Sequence, residues 1–185
     1  MKKIEAGIVD WDILKEDLME LSKEELAELV NVWIKNYWTC QSYWMTYVER
    51  DFGEEIAGKL DSEVFEQAAR VQAYRIKKAL NLGDDMQALA FALKHSALQW
   101  SPGGFDWEFD LVTDKEIKMH VKKCPMSVFR DEKNLELLPC KQISPPIYTA
   151  MAKAINPKMT ARCTHAHPDA RKEGVNCEWH FFYED

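Results

Sequence analysis

Several things this sequence lacks narrow its function before any residue is singled out. No run of about twenty apolar residues occurs, so nothing reads as a membrane-spanning helix. The opening MKKIEAGIVDWD turns acidic before a signal-like apolar core forms, and a cytoplasmic location with no membrane partner is the expectation. Positive charge is also scarce, with 24 Lys and Arg against 31 Asp and Glu and a net charge of −7. Binding phosphate backbones needs a concentrated basic face, so a nucleic-acid partner is not expected. Glycine and proline number seven each in 185 residues, too few for a low-complexity chain. Five cysteines are an odd number without an export signal, which argues for reduced thiols rather than a disulfide framework. No two stand as C-x-x-C, which removes the zinc-ribbon and thioredoxin patterns. Phosphate loops, G-x-G-x-x-G, G-x-S-x-G and H-E-x-x-H are missing as well.

What is present is a folded composition, 46% hydrophobic and 30% charged, with seven Trp, eight Phe and six Tyr to fill a core. Residues 1–101 read as helices. In LSKEELAELVNVWIKNYWTCQSYWMTYVERDFG, Ser22 and Glu25 form a capping box. Leu26, Leu29, Val30, Trp33, Ile34, Tyr37 and Trp38 then keep a helical rhythm. Past Trp38 the apolar positions thicken through Tyr43, Trp44, Met45, Tyr47 and Val48, so burial by neighbouring helices is expected there, with Cys40 as a small buried hydrophobe. A second helix is expected from Asp61 or Ser62, with Val64, Phe65, Ala68, Val71, Ile76 and Leu80 near one face and Gly83 as its stop. A third is expected in DDMQALAFALKHSALQW, capped by Asp84.

The SPGG at 101–104 marks a change of architecture, and 105–185 reads as a mixed part. FDWEFDLV and IKMHVKKC alternate apolar and polar residues, a hairpin with one wet face. PMSVFRDEKN and SPPIYTAMAKAINP are expected as helices, and KMTARCTHAH and NCEWHFFYE as two closing strands. The expected fold class is α+β: a helical N-terminal layer packed on a small, mainly antiparallel sheet of about four strands with two flanking helices.

Chemistry concentrates in this second part. Strand period places Cys163, His165 and His167 on one side, where Cys163 with His165, or His165 with His167, would grip one ion. Cys124, Cys140 and Cys177 could complete a zinc or iron-sulfur site with them. A thiol reading runs beside it, in which Cys124 or Cys163 is the nucleophile and His120 or His165 the base. Asp169 and Glu178 are candidate orienters there, and Asp169 is also suited to a turn after Pro168. Inert packing of the same residues is the third reading, leaving an interaction module without catalysis and self-association open.

The ordered elements YWMTYVERDFGEEIAGKLDSEVF, LPCK, INPKMTARCTHAHPD and CEWHFFYE resemble a family of uncharacterised proteins distantly similar to L-2-amino-thiazoline-4-carboxylic acid hydrolase-like proteins. More remotely they are similar to vinyl-reductase-type small-molecule-binding domains. The resemblance covers roughly residues 20–183. It implies a helical N-terminal part followed by an α+β part that forms a ligand pocket, which the residues of the sheet and its flanking helices are expected to line with aromatic rings and cysteines. It also implies a small organic ligand, bound or turned over by water that opens a sulfur-nitrogen ring.

Overall fold

A computed structural model describes residues 10–100 and 105–184. The SPGG break and the first nine residues lie outside the described residues. The chain begins with α1 (Trp11–Met19), capped by the Asp10 side chain on the Ile13 amide. The longest element follows, α2 (Lys23–Phe52), opened by the capping box of Ser22 and Glu25. The next helix starts earlier than the sequence pattern suggests. Gly53, at φ +86°, reverses the chain alone, and α3 (Glu54–Ala79) begins at once rather than at Asp61 or Ser62. That backbone conformation suits glycine, and no proline or polar cluster announced it. Asn81, at φ +50°, supplies the next reversal rather than Gly83. Asp85, not Asp84, caps α4 (Met86–His95), which gives way to a 3₁₀ turn over Ala97–Gln99.

The second part holds β1 (Asp106–Val112), β2 (Glu116–Lys123), α5 (Pro125–Glu132), α6 (Cys140–Ile143), α7 (Pro145–Ile155), β3 (Met159–His165) and β4 (Cys177–Tyr183). The four strands pair antiparallel in the order β1-β2-β4-β3, as expected of an α+β fold. Period-two alternation divides the sheet's faces. Ile117, Met119, Trp179 and Phe181 point into a core shared with α4 and α7, and Val121 is fully buried beside them on the strand. Glu116, Lys118, His120, Glu178 and His180 occupy the other face. The core crosses the break between the two parts, because Ala69 and Ala73 of α3 join Met151 and Ile155 of α7 within it. Small alanines allow the two helices to approach closely.

The α2–α3 hairpin is braced by Gln41 on Asp61 (2.9 Å) and by the rings of Tyr37 and Trp38 around Phe65. The Trp38 indole donates to the Ala97 carbonyl (3.0 Å) and to that of Trp100, tying α2 to the 3₁₀ turn. At the hairpin's tip the Arg130 guanidinium, 2% exposed, is held by Glu49 and Glu54 and by the Glu136 carbonyl. Three expectations about this hairpin fail. Cys40 is exposed rather than buried. Tyr43 and Tyr47 are more than half-exposed or close to it, at 61% and 50%. Val64, Val71 and Leu80 face solvent instead of joining Phe65. The apolar stripe of each helix is wider than the seam between them can cover.

Candidate functional site

A cleft of about 190 Å³ opens at the end of the sheet where β2 finishes and β4 begins. Its walls come from the α5–α6 loop, the end of β3 and the β3–β4 loop, and they carry Cys140, His165, His167 and Asp169. The Lys141 amide donates to the His167 carbonyl (3.0 Å) and the Asn176 amide to Val121 (2.7 Å), fixing the loops to α6 and β2.

A β-bulge decides which way the histidine faces. Cys163 stands opposite Trp179, yet His165 stands opposite Glu178, so Thr164 is an extra residue in β3. One inserted residue shifts the side-chain alternation by one face. Cys163 thus packs toward the core while His165 joins the Glu178 face, so the expected shared face of Cys163 and His165 does not form. His167 lies past the strand's end, in a turn closed by the Asp169 amide on the Ala166 carbonyl (2.9 Å).

Around His165 the charges form a chain. Lys141 Nζ lies 2.6 Å from Asp169 Oδ2, and this hydrogen bond holds the Asp169 carboxyl below its usual range. The same oxygen lies 3.7 Å from His165 Nδ1, an electrostatic contact that orients the ring. The rim's other cations are already paired: Arg171 with Asp131 (2.7 Å), Lys172 with Glu178 (2.5 Å) and Lys122 with Glu108 (2.6 Å). The cleft is therefore polar but internally balanced, suited to hydrogen-bonding a small polar ligand rather than trapping a bare charge.

The thiols behind it are in the opposite state from activated nucleophiles. Burial pushes Cys140 and Cys177 up to about 12 and Cys163 up to about 11. Thiolates, not thiols, attack and ligate, so these three are inert at neutral pH unless something displaces their protons. Cys124, Cys140 and Cys163 each add to the rise at Cys177, which places the four thiols within reach of one another's charge. The buried Tyr148 hydroxyl feels Cys124, Cys140 and Cys177 as well, and its ring packs 4.2 Å from Trp179. The expected pairing of Cys124 with His120 does not assemble. Cys124 is the half-buried residue before α5, close enough to act on Tyr148 and Cys177, whereas His120 lies on the outer face between Asp110 (2.8 Å) and Glu108 (3.5 Å).

Among the described residues, the donors that crowd within 4.8 Å of one another are Glu108, Asp110 and His120, not the cysteines. Lys122 already neutralises Glu108 there. The expectation of an aromatic wall also changes: Trp107, Phe109, Tyr148, Trp179 and Phe181 fill the core, and the cleft is lined mainly by polar groups, with Leu137, Leu138, Val175 and Cys140 between them. Lys141, Arg171 and Lys172 were the residues missed from sequence. The loop PDARKEG looked like a plain connection, and its run of alternating charge was the available signal.

The chain belongs to the family of unknown function DUF6125, whose model matches residues 19–183. No curated protein and no solved structure matches it.

Proposed function

We propose that the cleft binds a small polar organic molecule and turns it over by hydrolysis, with His165 activating water and Asp169 orienting it. The supporting observation is the convergence of His165, His167, Asp169 and Cys140 on one cleft of about 190 Å³. His165 Nδ1 faces a carboxylate that Lys141 keeps ionised, which leaves the other ring nitrogen for a proton from water. The raised thiols favour water over Cys140 or Cys163 as the attacking group. The resemblance to thiazoline-carboxylic acid hydrolase-like proteins agrees in reaction class and suggests sulfur-nitrogen heterocycles as the first panel to try. In that panel, a ligand that raises the melting temperature and is consumed should be bound by His165→Asn but turned over at least about a hundredfold more slowly. Equal turnover by the variant would remove His165 from the chemistry, and no shift with any heterocycle would remove the ligand class.

A second reading follows from the mutual influence of Cys124, Cys140, Cys163 and Cys177. Among the described residues no three of these thiols lie within 4.8 Å of one another, so zinc or an iron-sulfur cluster would have to draw them together on binding, with sulfur at about 2.3 Å from zinc. Metal analysis of anaerobically purified protein tests it. A stoichiometric metal lost with Cys140→Ser supports the metal site, and a metal-free, folded chain ends this reading.

A further inference from the structure

Fifteen of the twenty strongly exposed large apolar side chains among the described residues lie on α1, α2 and α3. On α2, the exposed Trp33, Cys40, Tyr43 and Tyr47 recur at helical spacing on a stripe turned away from the α3 seam, continued by the half-buried Leu26 and Leu29. On α3, Leu60, Val64, Val71 and Tyr74 do the same. At about 100° per residue, both stripes fall on the same side of the hairpin, roughly a third of a turn from the seam. The result is a two-helix layer with one face on the protein's core and the other bare.

We infer that this bare face docks a second copy of the chain, the two hairpins stacking head to tail into a four-helix bundle. Three observations identify the occupant as a copy. The first is area: Trp33, Tyr43, Tyr47 and Tyr74, 50–66% exposed, offer about 350–580 Å² for rings of 150–250 Å² each, and Leu60, Val64 and Val71 bring the stripes toward the roughly 800 Å² each partner buries in a standard interface.

The second is self-complementarity. A two-fold axis across the middle of the layer lays α3 antiparallel on α3 and α2 antiparallel on α2, with Gln67 and Asn36 near the axis. Leu60 then meets Tyr74 of the other copy, and Val64 meets Val71. On α2 the same axis sets Leu29 against Tyr43 and Trp33 against Cys40, so large rings face smaller side chains along both helices. An isologous interface needs this property, since each contact occurs twice.

The third is charge. Residues 49–66, at the hairpin's tip, hold seven acids and two bases, whereas residues 67–79 hold four bases and no acid. Head-to-tail stacking brings the acidic tip of one copy over the basic end of the other, despite the chain's net charge of −7. Glu63 and Arg70, both exposed and beside the stripe, pair along α3 with Lys59 (4.0 Å) and Glu66 (3.0 Å), and docking adds each to the other copy's pair across the interface.

Sedimentation of the full chain at tens of micromolar should give twice the 21.6 kDa chain mass. Trp33→Glu combined with Val64→Glu should give the single-chain mass with unchanged helical circular dichroism, because both side chains are exposed. Glu63→Lys and Arg70→Glu should each weaken the dimer several-fold, and the two together should restore it. A single-chain mass for the unmodified protein overturns the proposal. So does a dimer that survives the double glutamate variant, or a double charge reversal as weak as the single ones.

Discussion

At the scale of single residues, the polar groups inside the hairpin are the least settled part of the molecule. Asp61 is largely buried, and that burial raises its pKa, only partly offset by the hydrogen bond from Gln41. Gln41 Oε1 is itself buried without a partner. An amide at position 61 would keep an oxygen for Gln41 Nε2 and add a donor for Gln41 Oε1, while removing the cost of burying a charge. Asp61→Asn should therefore stabilise the fold by about 1 kcal/mol at neutral pH, read as a rise in urea midpoint without a change in slope. A loss of stability would mean that the carboxylate has a role the surrounding hydrogen bonds do not show.

Among the elements, β3 decides whether the cleft exists. Thr164 is exposed and makes the bulge, and the bulge turns His165 away from the face of Cys163. Thr164→Ala should be nearly neutral, within about 0.5 kcal/mol, as for most exposed positions. Deleting Thr164 should cost several times more, because a regular ladder would drive the His165 imidazole toward the core face. Thermal melts of the two variants check this, and comparable melting temperatures would show that the strand restores its register another way.

This element also shows what sequence can and cannot reveal. The two hairpins are expected where the four strands lie, and the helices expected in PMSVFRDEKN and SPPIYTAMAKAINP start at Pro125 and stop before Asn156. A bulge adds one residue without altering composition or hydropathy, so strict alternation placed Cys163 and His165 together. Gly53 was hidden for a related reason, since a one-residue reversal leaves the helical pattern on both sides nearly continuous. The exposed stripes of α2 and α3 escaped because an apolar residue toward solvent and one toward a neighbour look alike in a periodic pattern.

For the molecule as a whole, the buried thiols set a limit on the alkaline side. Free cysteine ionises near pH 8.5, whereas Cys140, Cys163 and Cys177 do so at about 12, 11 and 12 in the fold. Above about pH 8.5 the unfolded chain releases these protons and the folded chain keeps them, so the unfolded state gains. Their contribution is complete below that pH and declines as pH rises toward the folded values. Denaturant midpoints should fall between about pH 9 and 11, and Cys140→Ser with Cys177→Ser should flatten the decline even if it lowers the neutral-pH stability. An equally steep decline in that variant would assign the effect to other groups, such as the raised Tyr37 and Tyr148.

The one-residue joint at Gly53 has a mechanical consequence. Helix α3 extends about 39 Å from it, so each degree of swing at the glycine moves the far end by roughly 0.7 Å. A lever of that ratio cannot be aimed by its pivot alone. Its alignment must come from farther out, where Ala69 and Ala73 pack on Met151 and Ile155 of α7, and where Gln72 meets Tyr37 (3.5 Å) and Ser96 (3.1 Å) and Lys77 reaches the Ile155 carbonyl (2.5 Å). These contacts, far from the cleft, act as the sighting points that hold a long arm true.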